Sequence, residues 1–313
     1  MTKLTNEHKQ EIINLIKNKE EQLGSLRGVA TFCNMSPATL SLIVQDKYVT
    51  KGDDAWLQIG NALGWKPTSS NQWVIAETTD YKNVAKIVAD AKEHSLFLPI
   101  SDIAGSGKTT PLKDIAEKHK TNAVFYLNCM DWGKREFLEK LCQALGIDVS
   151  RGYKTSNAMI ELLIDFFQQR SLHKPLLIVD EADKLKDAAK RIFIPLYNSC
   201  EDMLGVVIAG TENLEEEIKK GVRHKKKGYD EFDSRFGRKY IKLIGCTLKD
   251  ATLICNANGI DDEALIKDFF EQCNPVRKVI KMRGGTESVI RVTHDLRRLK
   301  RLVKREQLKS ILN

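Results

Sequence analysis

The segment Ala104-Gly105-Ser106-Gly107-Lys108-Thr109 constrains the fold of this chain most, because it follows an apolar strand and opens a helix. A glycine-rich turn in this position directs backbone N–H groups into one concave loop at the positive end of the helix. Such a loop binds phosphate groups. We therefore predict a P-loop nucleotide site. Its predicted phosphate contacts are Ala104, Gly105, Ser106, Gly107, Lys108, Thr109 and Thr110.

Three residues in and before this loop have distinct expected roles. Lys108 supplies a positive charge for the β and γ phosphates, and we count it among the catalytic residues. The Thr109 hydroxyl is a predicted ligand of Mg²⁺. Asp102 stands where the G-x-x-x-x-G-K-[ST] pattern has its first glycine. Its negative charge is expected near the phosphates and predicts weaker ATP binding.

An acidic strand end lies about seventy residues downstream. The apolar run Leu176-Leu177-Ile178-Val179 is followed by Asp180 and Glu181. This is the Walker B arrangement, in which Asp180 would hold the Mg²⁺ shell and Glu181 would orient or polarise the attacking water. The expected cofactors are therefore ATP and Mg²⁺.

Other polar residues are candidates for the same chemistry. Thr211 follows a strand that ends at Gly210 and could contact the γ-phosphate or the attacking water. Arg235 could act as an arginine finger on a neighbouring subunit, and Arg238 is an alternative for that role. Arg297, in the C-terminal helical segment, could reach back to the phosphates; otherwise it belongs to a basic solvent face.

The order of apolar segments predicts an α/β P-loop core in which helices sandwich a parallel sheet. Helices precede this core, and the segment from about Leu248 is predicted to be helical to the C-terminus. The predicted strands are 96–100, 123–127, 176–179 and 204–209. The predicted domains are an N-terminal helix-turn-helix domain (1–66), a linker (67–80), the nucleotide-binding domain (81–245) and a C-terminal helical lid (246–313).

Two regions are candidates for contact with duplex DNA. In the N-terminal domain, Ser36-Pro37 opens a short helix after a tight turn, and Thr39 and Ser41 are predicted to face a DNA groove. A small module for protein contacts is the alternative. The second region is a predicted mobile loop of phosphate-binding cations, and a solvated basic loop is the alternative. Its predicted contacts are Lys219, Lys220, Arg223, Lys225, Lys226 and Lys227.

Composition narrows the class of protein. The net charge of +8 favours a polyanionic partner. The seven cysteines form no C-x-x-C pair, which indicates reduced thiols rather than a zinc site or a disulfide framework. No apolar run is long enough to cross a bilayer, and the first residues lack the apolar core of a signal peptide. We expect a protein of the bacterial host cytoplasm without a membrane partner.

The motifs from the P-loop to Arg297 occur in the order typical of AAA+ ATPases, and the resemblance covers roughly residues 75–313. With the helix-turn-helix in front, the layout is similar to the family of transposition ATPases that includes the phage Mu B protein. This resemblance implies ATP-dependent assembly into a ring or filament on duplex DNA, with little sequence preference. It also implies that a transposase is the partner in target selection and capture, and that ATP hydrolysis drives disassembly.

Two other functions fit the same motifs. A replication initiator or helicase loader would have the same fold and a different partner. A helix-turn-helix transcriptional regulator would use the ATP-binding domain only as a switch.

Overall fold

The computed structural model describes residues 4–45, 47–48, 52–66, 73–119, 123–150, 152, 154–281 and 287–312. The helices are α1 (Asn6–Leu23), α2 (Leu26–Phe32), α3 (Pro37–Val44), α4 (Asp54–Ala62), α5 (Thr79–Glu93), α6 (Thr109–Lys118), α7 (Lys134–Ala144), α8 (Ser156–Gln168), α9 (Asp187–Lys190), α10 (Phe193–Cys200), α11 (Glu212–Arg223), α12 (Tyr229–Arg235), α13 (Leu248–Ala257), α14 (Glu263–Gln272) and α15 (Leu296–Leu312). The strands are β1 (Phe97–Ser101), β2 (Val124–Asn128), β3 (Leu176–Asp180), β4 (Gly205–Gly210), β5 (Val276–Lys281) and β6 (Glu287–Val292).

Four parallel strands form the central sheet in the order β1-β4-β3-β2. Every residue of β3 and β4 is buried, because helices cover both faces of the sheet. Ile100 also pairs in parallel with Ile241, which lengthens the sheet beyond β1. The predicted parallel sheet and its four strands are confirmed. The carboxyl ends of β1, β3 and β4 meet at one edge, which brings the P-loop, the acidic strand end and Thr211 together.

Helices α1–α4 form an N-terminal module on the side of the core. Ile12, Leu40 and Ile59 are fully buried in it. The cap before α3 is as predicted, since the Ser36 hydroxyl accepts the Thr39 N–H at 3.0 Å and Pro37 occupies the first turn. A turn joins the two short helices α2 and α3. Their identity as a helix-turn-helix that contacts DNA stays a prediction.

The N-terminal module is bonded to the core rather than free of it. The Gln22 side-chain amide donates to the Val124 carbonyl, and the Arg170 guanidinium donates to the Leu23 carbonyl at 3.1 Å. Gly28 and Gly146 approach so closely that a Cβ on Gly146 would lie 2.9 Å from the Gly28 Cα. These contacts lie beside β2 and α7, and none reaches the carboxyl edge of the sheet.

The prediction of an all-helical C-terminal segment is wrong. Between α14 and α15, strands β5 and β6 form an antiparallel hairpin with Val279 opposite Val289. Its sequence is rich in β-branched residues, and Gly284-Gly285 lies between the strands. Both features are typical of a hairpin, so the signal was present in the sequence. Helices α13–α15 pack around Phe269, Phe270 and Leu299 and, with the hairpin, form what we call the C-terminal unit.

The second half of the predicted linker is a strap between the core and the C-terminal unit. Residues 67–72 lie outside the described residues, and residues 73–78 form neither helix nor strand. The Val74 N–H donates to the Asn258 side-chain oxygen, and the Asn258 amide donates back to the Val74 carbonyl, both at 3.0 Å. Thr79 already belongs to α5 and donates to Asp250.

In the part of the chain that the structure describes, every helix is too short or too polar to span a bilayer. All seven cysteines are buried and unpaired. Burial raises the pKa of the Cys33 thiol to about 11, so this thiol is a structural residue rather than a reactive one.

Candidate nucleotide site

The loop from Asp102 to Lys108 connects β1 to α6 at the carboxyl edge of the sheet. Gly105 and Gly107 have φ angles of +86° and +94°, a conformation that glycine adopts without steric cost. A Cβ on Gly107 would lie 2.6 Å from Leu296 of α15. Two features therefore require glycine at position 107: its positive φ angle and the close approach of the C-terminal unit.

Lys108 lies inside this loop. Its ammonium donates to the Asp102 carbonyl at 2.7 Å, the Ile103 carbonyl at 2.9 Å and the Ser106 hydroxyl at 3.1 Å. Burial lowers the pKa of Lys108, and nearby carboxylates led by Asp102 oppose that shift. An ammonium held by loop oxygens at this position has the donors needed for the β and γ phosphates, so the residues present fit a nucleoside triphosphate.

Asp102 anchors the start of the P-loop. One carboxylate oxygen accepts the Ile103 N–H at 2.9 Å, and the other accepts the Leu243 N–H at 3.0 Å. Its φ angle is not positive, so the position does not need glycine. Asp102, which stands in place of the motif's first glycine, therefore has a structural role, because its carboxylate bonds the loop to the segment beside β1.

Asp180 and Thr109 lie together, as predicted. Asp180 is 1% exposed at the end of β3, where it accepts the Tyr126 hydroxyl at 3.0 Å and a bond from the Thr109 side chain. Burial raises the pKa of Asp180, and these hydrogen bonds oppose the shift. A buried carboxylate beside a hydroxyl is the ligand set that Mg²⁺ takes in nucleotide sites. The two residues therefore fit the predicted metal position.

Glu181 follows Asp180 in a left-handed conformation, with φ +55°. Its carboxylate accepts from the Lys184 ammonium and is partly exposed to the cleft. A non-glycine residue in this region stores strain, and such residues are concentrated at functional sites. Glu181 lines the same cleft as Lys108 and Thr211.

Thr211 is held by Asp183, which the sequence analysis left without a role. The Thr211 hydroxyl donates to one Asp183 oxygen at 2.7 Å. The other Asp183 oxygen is buried without a partner. Asp183 thus fixes the direction of the Thr211 hydroxyl. The sequence signal that could have identified Asp183 was its position two residues after Glu181, in the same acidic run.

The C-terminal unit and the strap complete the cleft, and Arg297 is among the residues that line it. Contact of Arg297 with phosphate stays a prediction. Leu296, Arg297 and Lys300 of α15 line one side. Trp73 and Ile75 of the strap line another, and the Lys300 ammonium lies 4.9 Å from the centre of the Trp73 ring. The lid and strap residues other than Arg297 were not found from the sequence, because only the fold brings them to the P-loop.

The two arginine-finger candidates lie outside this cleft. Arg235 donates to the Asn198 side-chain oxygen at 3.0 Å and to Glu231 at 3.1 Å. Arg238 donates to Asp230 at 2.7 Å. Neither lines the cleft of its own chain. Action on a neighbouring subunit remains a prediction for both.

The predicted mobile loop of cations is wrong in its first part. Lys219, Lys220 and Arg223 lie in helix α11. Gly221 is buried there against Tyr229, which leaves no room for a Cβ. The Lys219 ammonium pairs with buried Asp233 at 2.9 Å and donates to the Arg238 carbonyl. Lys219 therefore holds α11 to α12 and is not a free surface cation.

The remaining cations of this cluster are exposed. Lys225 and Lys227 lie in the turn between α11 and α12, and the Lys226 ammonium is 3.7 Å from Asp187. In the N-terminal module, Thr39 and Ser41 are half-buried on α3, and the Ser41 hydroxyl accepts from Gln45 at 3.1 Å. DNA contact by either set remains a prediction.

Comparison with known proteins identifies the core. Residues 93–218 match the family described as AAA domain. No curated protein matches the chain. Among solved structures, Cdc6p from Pyrobaculum aerophilum is similar at 15% identity with a TM-score of 0.47, over 61% of this chain and 52% of that one. The chain thus spans about half the length of that protein. Residues 93–218 of its core are thus similar to the AAA domain family, and the core has the P-loop AAA+ fold.

Proposed function

We propose that this AAA-family ATPase domain binds ATP with Mg²⁺, hydrolyses it, and controls by its nucleotide state how the chain assembles on duplex DNA. One observation carries the nucleotide part. Lys108, Asp180, Glu181, Thr211 and Arg297 come from four separate chain segments and line a single cleft. Convergence of this kind is what phosphoryl transfer requires, since its catalysis is mostly positioning and charge stabilisation.

The roles follow from the contacts. Lys108 and the P-loop N–H groups would hold the phosphates, and Arg297 would reach them from the lid. Thr109 and Asp180 would hold Mg²⁺, which neutralises charge on the β and γ oxygens. Glu181 would polarise the water that attacks the γ-phosphorus as the bond to the ADP oxygen breaks, and Thr211 would orient that water or the γ-phosphate.

The DNA part rests on the resemblance in motif order and on the helix-turn-helix pattern of α2 and α3. We propose that ATP-bound chains assemble into a ring or filament on duplex DNA with little sequence preference. The assembly would assist a transposase in target selection and capture, and hydrolysis would dismantle it. The γ-phosphate would act as the signal for the assembled state. Arg235 or Arg238 would complete the site of a neighbouring subunit.

Negative-stain electron microscopy of the purified chain with random duplex DNA, with ATP or with ADP, tests this proposal. Rings or filaments on DNA with ATP alone are the expected result. Isolated particles with both nucleotides would overturn the assembly function. Release of phosphate from ATP, measured on the same samples, separates loss of assembly from loss of hydrolysis.

A further inference from the structure

The positive charge of this protein is concentrated at its C-terminus. Residues 276–313 contain 12 Lys and Arg but only three Asp and Glu, a surplus of nine. The whole chain has a surplus of eight, so residues 1–275 carry one net negative charge. The charge that favours a polyanionic partner therefore belongs to the hairpin and to α15.

Helix α15 places its cations on one half of its surface. At 100° per residue, the arc from Lys300 to Lys309 covers about 180°. The described side chains on that arc are all cationic except Leu308. The members of this set, which we call the cationic face, are Arg297, Arg298, Lys300, Arg301, Lys304, Arg305 and Lys309.

The cationic face is little neutralised by the protein itself. Among its described members, only Lys309 has an ion pair, with Glu306 at 2.8 Å. Arg301, Lys304 and Arg305 are exposed. Like charges at i, i+3 and i, i+4 destabilise a helix, so a face of this composition costs stability unless an anion binds it.

The opposite face of α15 excludes a membrane as the anion. Basic amphipathic helices bind lipid by burying their apolar face in the bilayer. Here Leu299 and Val303 are 1% and 0% exposed in the core of the C-terminal unit. Among the described residues of α15, the apolar face is therefore occupied by the protein core, and the exposed side chains are cationic apart from Leu308.

The dimensions fit a phosphate backbone. From Arg298 to Lys309 the helix rises about 16 Å. Along the duplex axis, one DNA strand presents about five phosphates in that length. The cluster of Lys225, Lys226 and Lys227 is shorter, and Asp187 lies beside Lys226.

We propose that the cationic face of α15 is the main site at which this protein binds the duplex DNA backbone, an inference that rests on the proposed function. The same helix carries Arg297 and Lys300 into the nucleotide cleft. A rigid helix with nucleotide at its first turn and DNA along its outer face couples the two ligands directly. This assigns DNA contact to the lid rather than to the cations after α11.

The test compares three variants of the full chain, each lacking three cations. The first is Arg301→Gln/Lys304→Gln/Arg305→Gln, in which glutamine preserves helix propensity and no residue lines the nucleotide cleft. The second is Lys225→Gln/Lys226→Gln/Lys227→Gln. The matched control is Lys82→Gln/Lys86→Gln/Lys140→Gln, which removes three exposed cations from α5 and α7. Random duplex DNA affinity is measured with ATP across a salt series, and binding of a fluorescent ATP analogue confirms folding.

The α15 variant is expected to bind DNA about 10- to 100-fold more weakly, with a slope of log K against log salt shallower by roughly 2 to 3. The matched control is expected to change affinity less than about threefold. Equal losses in the α15 variant and the control would overturn the inference, as would a larger loss in the Lys225–Lys227 variant. Binding of the wild type to anionic phosphatidylserine vesicles but not to DNA would overturn it together with the proposed DNA function. Normal DNA binding by the α15 variant would overturn the inference alone.

Discussion

The N-terminal module and the C-terminal unit are both small bodies packed on one α/β core, but they contact different parts of it. The N-terminal module bonds to Val124 at the start of β2 and to Arg170. The C-terminal unit reaches the opposite edge, where Leu296 lies against Gly107. Of the residues that the structure describes in these two parts, those of the C-terminal unit contact the nucleotide loop. The described part of the N-terminal module would respond to nucleotide through the core.

The N-terminal module and the C-terminal unit also differ in net charge. Residues 1–66 contain eight Lys and Arg and seven Asp and Glu, whereas residues 246–313 contain 14 and nine. The nearly neutral N-terminal module docks away from the nucleotide loop. A surface with so little net charge suits sequence-selective contacts with DNA or contacts with another protein. The C-terminal unit is basic and lines the nucleotide cleft, which suits nucleotide-dependent binding of DNA phosphates. The predictions below test this division.

The largest effect is expected from Glu181→Gln. Loss of the carboxylate that polarises water should slow ATP hydrolysis by about 100- to 1,000-fold and leave ATP binding intact. In the trapped ATP state, limited proteolysis should show protection of the C-terminal unit with little change in the N-terminal module. Glu216→Gln, on the exposed face of α11, is the control. Equal protection of both ends would contradict the division.

Gly146→Ala should loosen the N-terminal module. The new Cβ would lie 2.9 Å from the Gly28 backbone at a residue with φ +71°, and we expect a loss of about 2–4 kcal/mol in unfolding free energy. Gly152→Ala is the matched control, since its φ is +70° but nothing lies within 4 Å. Denaturant unfolding measures the difference. A large rise in the ATP dissociation constant of a folded Gly146→Ala protein would show that this module, too, is tied to the nucleotide.

Arg297→Ala should weaken ATP binding about tenfold, or about 1.4 kcal/mol, because a charged contact at the rim of the cleft is lost. Arg298→Ala removes the neighbouring charge, which lies outside the cleft, and should change affinity little. Titration with a fluorescent ATP analogue gives both constants. Equal affinities for the two variants would remove Arg297 from the site.

The smallest effect concerns His294, whose carbonyl borders Gly105. Burial lowers the pKa of His294 below its usual value of 6.5, and Asp102, Asp80 and Lys278 also act on it. Its neutral form therefore stabilises the fold fully above about pH 6.5, and that contribution is lost as the pH falls through the folded-state pKa. Thermal unfolding should show a drop on acidification that is smaller in His294→Gln. An identical pH profile in the variant would exclude this histidine as the cause.

Much of the fold followed from local patterns. The four core strands were predicted from continuous apolar runs, and the cap at Ser36 from its hydroxyl before a proline. The site residues from Lys108 to Thr211 were predicted because motif and strand end set them locally. The hairpin of β5 and β6 was missed although its β-branched residues and Gly284-Gly285 indicated it. Asp183 was given no role although it stands in the acidic run, because its bond to Thr211 joins the segments that follow two different strands.

The sequence alone determined that this chain builds a parallel sheet with a phosphate loop at its edge. Both signals, the apolar runs of the strands and the glycine spacing of the loop, are contained within a few consecutive residues. The tertiary structure decided what each charge does. Lys219 pairs with Asp233, and Asp102 accepts a hydrogen bond from Leu243. Among the described cations of α15, only Lys309 pairs with an acid. Charges act through space over several ångströms, so their partners depend on which distant segments the fold brings together.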